Sequence, residues 1–516
     1  MTSALTTRES SGPDTAIRDR RRYLWLALGA AATLLAVGGR WDLPLAAWLA
    51  PVFLLRFARV SRPAIALLAV WLMSVVAAVS WMALSAVPLT PVTVAGDLAF
   101  GTVLVVPYVA DRLLVHRLGA AGRVLLFPAV LMTVEFLLGA FGPFGTAYGL
   151  LAATLHTETD LLQVTALTGP YAIAFLVGAL ATVVNAVWER GLVRHTVRVV
   201  AVYAAVLGLI LLGGQARLAV ADTASPTVRV AGINPGAAAL DAETAVLGKS
   251  RLAVTDPRLA DRDKIAAATA PMLADLFAQT RQAARAGAKI VVWSENAARV
   301  VESGQAAFLA EAARLADTEG IYLDVAELVY LPAAPHGRDE THLFGPDGRE
   351  LWAYQKAKPI PGLEIYTPGD NAAPVVDTPY GRLSTVICYD ADFPAIVHPD
   401  ADILLVPGGD WPEFGRTHTR MAGLRAIENG YSLVRQDFNG QSGAYDPYGR
   451  LLSTKDTTVD SEIWYSDVPT RGVSTLYRVI GDAVSWIGVA GALVLIGFAI
   501  VRSGRSRGLP SGSRSG

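Results

Sequence analysis

The chain has almost no cysteine: Cys388 is the single one in 516 residues. An internal disulfide is therefore excluded, and so is a metal centre built on several thiolates. Lysine is scarce as well, with 6 residues against 38 arginines. No basic run interleaves with aromatics, which argues against a nucleic-acid surface. Charged residues make up only 17% of the chain, and between 23 and 214 they are confined almost wholly to short loops. A stretch that long with so little charge cannot be the surface of a water-soluble domain and belongs in a bilayer. The bias to arginine and alanine reads as the codon usage of a GC-rich bacterial genome.

What is present is a series of apolar runs long enough to cross a hydrocarbon core of about 30 Å as helices. Seven are expected before the charged part of the chain, at 23–39, 43–58, 63–86, 95–115, 124–141, 161–188 and 195–214, and an eighth at 477–501. The connecting loops alternate in charge. Arg18 to Arg22, Arg56 to Arg62, Arg112 to Arg123 and Arg190 to Arg198 mark one side, whereas loops 87–94 and 142–160 contain no Lys or Arg. Only Arg40 breaks the pattern. The positive-inside rule then puts tails 1–22 and 502–516 in the cytoplasm and everything between 215 and 475 outside it. A cleavable signal peptide is the competing reading of the first run, but the runs that follow favour an uncleaved anchor. Residues 1–17 and 503–516 are polar and expected to be disordered. Glu135 stands inside a span, where a carboxyl group must find a partner or a water-filled cavity.

From 226 to 470 extended and helical patterns alternate, which predicts an α/β sandwich with a buried sheet. Strands are expected at 228–234, 289–295 and 321–331, and helices at 262–287, 304–319 and 416–430. Three similar segments, at 345–351, 378–384 and 446–452, carry Pro followed by Gly-Arg and read as hairpin turns.

Three chemically distinctive residues close predicted strands: Glu295 after Ile290–Trp293, Lys356 after Glu350–Tyr354, and Cys388 after Ser384–Ile387. Strand ends that open onto loops are where α/β folds assemble active sites. A thiol at a helix start near a lysine has its thiolate favoured, a carboxylate can take its proton, and an ammonium with the Tyr389 amide can hold an oxyanion. In chain order, with Val-Val-Trp-Ser-Glu, Tyr-Gln-Lys and Ile-Cys-Tyr-Asp around them, these residues resemble the nitrilase, or carbon–nitrogen hydrolase, superfamily over about 227–470. That resemblance implies an αββα sandwich with Glu295, Lys356 and Cys388 as catalytic residues.

Seven spans before such a domain and one after it make the chain resemble the apolipoprotein N-acyltransferase family. Glu364 in the loop after Lys356, the helix from His418 to Glu428, and the membrane stretch Thr-Val-Glu-Phe-Leu support the likeness. The departures are Ser294 before the glutamate, Lys-Pro-Ile-Pro-Gly-Leu-Glu at 358–364, Asp390 after Cys-Tyr, and Gly-Gly-Asp-Trp at 408–411. Lys358 competes with Lys356 for the oxyanion role, but Tyr-x-Lys favours Lys356. His418, Arg425 and Glu428 are expected to order the fold.

The resemblance implies acyl transfer in the bacterial inner membrane. A phospholipid would be the acyl donor, Cys388 would carry a thioester, an apolipoprotein amine would be the acceptor, and Glu364 and Tyr389 would support the site. No metal or organic cofactor is indicated, and the chain is expected to be a monomer. Two alternatives stay open: a membrane-tethered amidase acting on a small amide, and a non-catalytic lipid-binding member of the family.

Overall fold

The computed structural model describes residues 21–36, 42–221, 225–247, 261–460 and 462–507. Most of the two expected tails, Arg40, and the end of the first expected span lie outside them. The first half is helical: α1 (Arg22–Ala36), α2 (Pro44–Val60), α3 (Pro63–Leu84), α4 (Pro91–Leu104), α5 (Val106–Leu114), α6 (Ala120–Phe141), α7 (Ala172–Arg190) and α8 (Arg194–Ala219). Prolines at the first positions of α2, α3 and α4 help to start them, since a missing N–H costs nothing there.

Among the described residues six helical stretches have the length and composition of membrane spans: 63–84, 91–117, 120–141, 172–190, 194–219 and 483–502. Helix α1 is shorter, at 15 residues, and α2 has 17. The span expected at 161–188 begins only at Ala172. Gly169 adopts φ +74° and Pro170 follows it, so 159–168 forms two single-turn helices instead. Likewise the run expected at 477–501 is split. Gly481, at φ +53°, separates α13 (Leu476–Ile480) from α14 (Ala483–Arg507), and α14 carries the helix into residues expected to be a tail. Leu209 and Leu212 on α8, and Leu493 and Phe498 on α14, are more than 60% exposed, an outer surface suited to lipid.

The charged part of the chain forms a seven-strand sheet and a six-strand sheet face to face. One orders β13 (Trp464–Pro469), β1 (Thr227–Ile233), β2 (Ile290–Trp293), β4 (Tyr322–Tyr330), β5 (Gly337–Phe344) and β6 (Glu350–Gln355), with β3 (Ala298–Val301) pairing the far end of β4. The other orders β12 (Leu451–Asp456), β11 (Gln441–Tyr445), β10 (Ser432–Phe438), β9 (Ile403–Gly409), β8 (Gly381–Thr385) and β7 (Val375–Thr378). Strand alternation sorts the side chains. Val228, Val230, Ile290 and Val292 face the second sheet and meet Leu383, Leu405 and Leu433, whereas Ala231, Ile233, Val291 and Trp293 face outward. That outer face is covered by α10 (Arg262–Arg285) and α11 (Glu302–Glu319), through Met272, Leu276, Phe308 and Ala312. A further helix, α9 (Ala237–Leu247), follows β1.

The second sheet is covered by α12 (Gly415–Asn429). Ala422 and Ala426 pack on the sheet, while Leu424 and Ile427 pack among Met132, Phe136 and Tyr171 of the membrane helices. The result is the expected αββα sandwich, with its fourth layer shared with the bundle. The three hairpin segments turn on Gly348, Gly381 and Gly449, each at positive φ (+70°, +94° and +76°).

Candidate active site

Glu295 follows β2, Lys356 follows β6, and Cys388 follows β8 at the start of a short 3-10 helix, Cys388–Asp392. Sheet pairing brings these ends together. The Glu295 amide donates to the Gly408 carbonyl of β9 at 3.1 Å, which ties the two sheets at this point. Cys388 Sγ donates to the Gly409 carbonyl at 3.7 Å. A Cβ on Gly409 would stand 3.0 Å from Glu295 Oε2, so the thiol and the carboxylate share one small patch of β9. Cys388 itself has φ +47°, a strained setting for a side chain and one associated with functional sites.

Lys356 is completely buried, with Nζ donating to Glu295 Oε1 at 2.6 Å and to Glu364 Oε1 at 2.8 Å, and lying 3.7 Å from Asp339 Oδ2. Burial alone would lower its pKa, but Glu295, Glu364 and Asp339 hold it well above the ordinary lysine value. Burial raises the Asp339 and Glu364 carboxyls, and the nearby Glu295 charge pushes both the same way. Burial also pushes the Cys388 thiol up, as does Glu295, whereas Arg435 and Lys356 oppose them. At rest the sulfur is therefore a thiol whose proton needs an acceptor.

Asp390 locks the parts to each other. Its Oδ2 accepts from Tyr354 Oη (2.8 Å), Ala357 N and Ile387 N (both 3.2 Å), and its Oδ1 accepts from Lys358 N (2.7 Å). One carboxylate thus joins the lysine strand to the cysteine turn. Lys358 points elsewhere, with Nζ 5.4 Å from the Phe393 ring centroid. The loop after Lys356 folds back through Glu364, whose Oε2 accepts from Ile360 N at 2.8 Å.

Arg435 joins the site although no sequence motif marks it. Its Nη2 lies 3.4 Å from Cys388 Sγ and 2.9 Å from Asp410 Oδ2, and its Nη1 lies 3.4 Å from the Cys388 carbonyl. A Cβ at Gly408 would stand 2.9 Å from its Cζ, so the unusual Gly408-Gly409 pair leaves room for Arg435 on one side and Glu295 on the other. His418 stands beside this guanidinium, its Nε2 2.8 Å from Asp392 Oδ2 and its Nδ1 2.8 Å from Asp410 Oδ1. Arg425 and Glu428 pair with each other at 2.9 Å, fully buried.

Tyr389 faces the membrane helices. Its hydroxyl donates to the Pro143 carbonyl at 3.0 Å, and its ring packs with Phe393, Ala147 and Met421. Beside it Thr146 donates from both N and Oγ1 to the Asp392 carbonyl, at 2.8 and 2.9 Å. Behind this contact a cavity of about 200 Å³ runs into the bundle between Leu131, Leu138, Ala147, Tyr148, Thr417 and Met421. Glu135 lines it and accepts from Leu151 N at 2.5 Å, which provides the partner a carboxyl group needs at that depth.

Two family models match the chain in succession: the apolipoprotein N-acyltransferase N-terminal domain over residues 28–183 and carbon–nitrogen hydrolase over 251–475. The apolipoprotein N-acyltransferase of Geobacter metallireducens is 28% identical over 155 residues, 28% of this chain and 29% of that protein. The one from Vibrio cholerae is 33% identical over 135 residues, covering 24% of this chain and only 25% of its own length. That of Bradyrhizobium diazoefficiens aligns over 458 residues at 26% identity, 79% of both chains. Among solved structures, an amidase from Nesterenkonia sp. matches at 20% identity and a TM-score of 0.36, over 48% of this chain and 92% of that one. With both regions present in order and one relative aligned along most of the length, the chain belongs to the apolipoprotein N-acyltransferase family of the carbon–nitrogen hydrolase, or nitrilase, superfamily.

Proposed function

We propose that this protein is an N-acyltransferase that moves an acyl chain from a membrane phospholipid, through a thioester on Cys388, to the α-amine of an S-diacylglyceryl-cysteine apolipoprotein. The observation that carries the reading is the position of the thiol. It adjoins the Glu295–Lys356 pair on one side and, through Tyr389 and Met421, an apolar cavity in the bundle on the other. An ester-borne acyl chain is the electrophile such a site suits.

In the first step Glu295 takes the Cys388 proton as sulfur attacks the ester carbonyl. Lys356 Nζ and the Tyr389 amide stabilise the oxyanion, and collapse expels a lysophospholipid alkoxide that recovers the proton from Glu295. The thioester remains. In the second step the apolipoprotein amine attacks it, Glu295 takes a proton from the nitrogen, and the Cys388 thiolate leaves and is reprotonated. Asp390 and Glu364 hold the lysine and its loop in place. The positive-inside pattern of the arginines supports an extracytoplasmic site in the bacterial inner membrane.

Intact-mass measurement after incubation with phospholipid vesicles tests this reading. The expected result is a mass increase of one acyl chain on the wild type and none on Cys388→Ala. A folded wild type that stays unmodified, or that instead hydrolyses small amides without lipid, removes the proposal.

A further inference from the structure

A second cluster of ionisable groups lies on the opposite face of the strands that carry the site. Along β5, Asp339, Thr341 and Leu343 face inward, where Asp339 meets Lys356; Glu340 and His342 face outward beneath α11. Glu327 of β4 is the direct register partner of Glu340 and shares that outer face. His342 Nε2 lies 3.4 Å from Glu327 Oε1 and 3.8 Å from Glu340 Oε2. Gln305 of α11 donates at 2.8 Å to both of those oxygens, and one ligand-type atom from each of Glu327, Glu340 and His342 lies within 4.8 Å of the other two.

Two features set this apart from an ordinary acidic patch. Glu327 is 0% exposed and His342 6%, yet Glu327 Oε2 has no hydrogen-bond partner among the described residues and His342 Nε2 has only its ion-pair contacts to Glu327 and Glu340. In addition, the other ring nitrogen, His342 Nδ1, is held 2.6 Å from Glu350 Oε1. A carboxylate gripping the far nitrogen of a histidine is the usual support of a metal-binding imidazole. Tetrahedral zinc with bonds of about 2.0–2.1 Å keeps its ligand atoms roughly 3.4 Å apart. The spacings of 3.4 and 3.8 Å therefore need only a small inward movement. Charge points the same way. Glu327, Glu340 and Glu350 gather around His342, whereas the Arg338 guanidinium bonds Glu340 Oε1 at 2.7 Å and lies 3.5 Å from the exposed Glu302 at the rim.

We propose that Glu327, Glu340 and His342 bind a divalent cation of the zinc class, with Glu350 and Arg338 as supporting partners. The ion would cross-link β4 and β5 beneath α11. It would brace the strands that hold Asp339 and Lys356 without touching the reacting groups.

The test uses tag-free, full-length protein in detergent, stripped with chelator and titrated with zinc against a coloured competitor. One equivalent is expected per chain, with a higher melting midpoint on saturation. Glu327→Gln and His342→Ala should weaken binding at least tenfold. Glu350→Gln, at a half-exposed position where folding is not at risk, should weaken it by a similar factor. Cobalt should give a spectrum of nitrogen and oxygen ligation. Folded wild type that takes up no zinc, affinity unchanged in all three variants, or a thiolate-to-cobalt band placing the ion at Cys388 would each overturn the proposal.

Discussion

Because the chain has a single cysteine, every alkylation event reports on Cys388, and this makes the role of Arg435 measurable. A guanidinium 3.4 Å from the sulfur favours the thiolate by roughly 5 kcal/mol at an effective dielectric of 20, before Asp410 offsets part of it. Arg435→Met is expected to move the apparent pKa of iodoacetamide alkylation up by at least one unit, which slows the reaction about tenfold at pH 7. Arg435→Lys, with a point charge in place of a fork, should recover only part of it. An unchanged pH profile in Arg435→Met would show that the guanidinium merely fills space. Removing the other cation, in Lys356→Met, should slow thioester formation by about 10²–10³, the usual effect of losing an oxyanion donor. The convergence of Glu295, Lys356 and Cys388 was legible in the sequence because each closes a strand and each stands out chemically against its neighbours. Arg435 was not. It meets the thiol only because β10 lies beside β9, and its one local signal was three consecutive polar residues, Arg435, Gln436 and Asp437, inside a buried strand.

Helix α12 shows how an element can serve two domains and hold a charge for both. His418 on its first turns sits between Asp392 and Asp410, with Arg435 alongside and Phe414 stacked on its ring at 4.9 Å. Burial and Arg435 act to lower its pKa, but the two aspartates outweigh them and lift it to about 9 from 6.5. A raised histidine stabilises the fold fully below its unfolded value and ceases to do so as pH rises through its folded one. The melting midpoint in detergent should therefore fall between pH 6.5 and 9, by an amount equivalent to about 3 kcal/mol. His418→Gln should reduce that slope, leaving the part due to Asp324 and Glu428, which burial pushes up to about 7. Asp390, which burial pushes up to about 6, titrates below this window. A wild-type midpoint that is level from pH 6.5 to 9 would refute the assignment. Elements with regular apolar patterning, such as α12, β2 and β4, were readable within a few residues. Strand β5 was not, because Arg338, Asp339, Glu340 and His342 occupy four of its eight positions. Their partners come from β4, β6 and α11, so the strand looks like a loop until the sheet exists. The break at Gly169-Pro170 was hidden by the opposite error, an apolar run that hydropathy alone carries through a helix stop.

At the scale of the whole molecule, the membrane bundle and the sandwich are joined where the chemistry is proposed to occur. The segment between α6 and the first single-turn helix crosses the turn that follows Cys388. Thr146 bonds Asp392, Tyr389 bonds Pro143, and Trp411 bonds the Ser85 carbonyl at the end of α3. Gln163 also reaches the Tyr448 carbonyl at 3.0 Å, farther along the same interface. The turn that follows Cys388 thus abuts the part of the protein that would admit lipid, and at their closest approach there is room for glycine alone. Gly145 has φ +53°, and a Cβ there would stand 2.5 Å from the Asp392 carbonyl oxygen. Gly145→Ala adds about 1 kcal/mol for the left-handed backbone, and the contact forces the segment away from the turn. Glu295, Lys356 and Cys388 are held by sheet pairing, not by this segment, so alkylation of Cys388 should stay within about twofold of wild type. Delivery of an acyl chain from vesicles depends on the docked arrangement, and thioester formation measured by intact mass should fall at least tenfold. Equal losses in both assays would mean that Gly145 supports the fold of the sandwich itself. No loss in either would mean that lipid reaches Cys388 by a route that does not pass this junction.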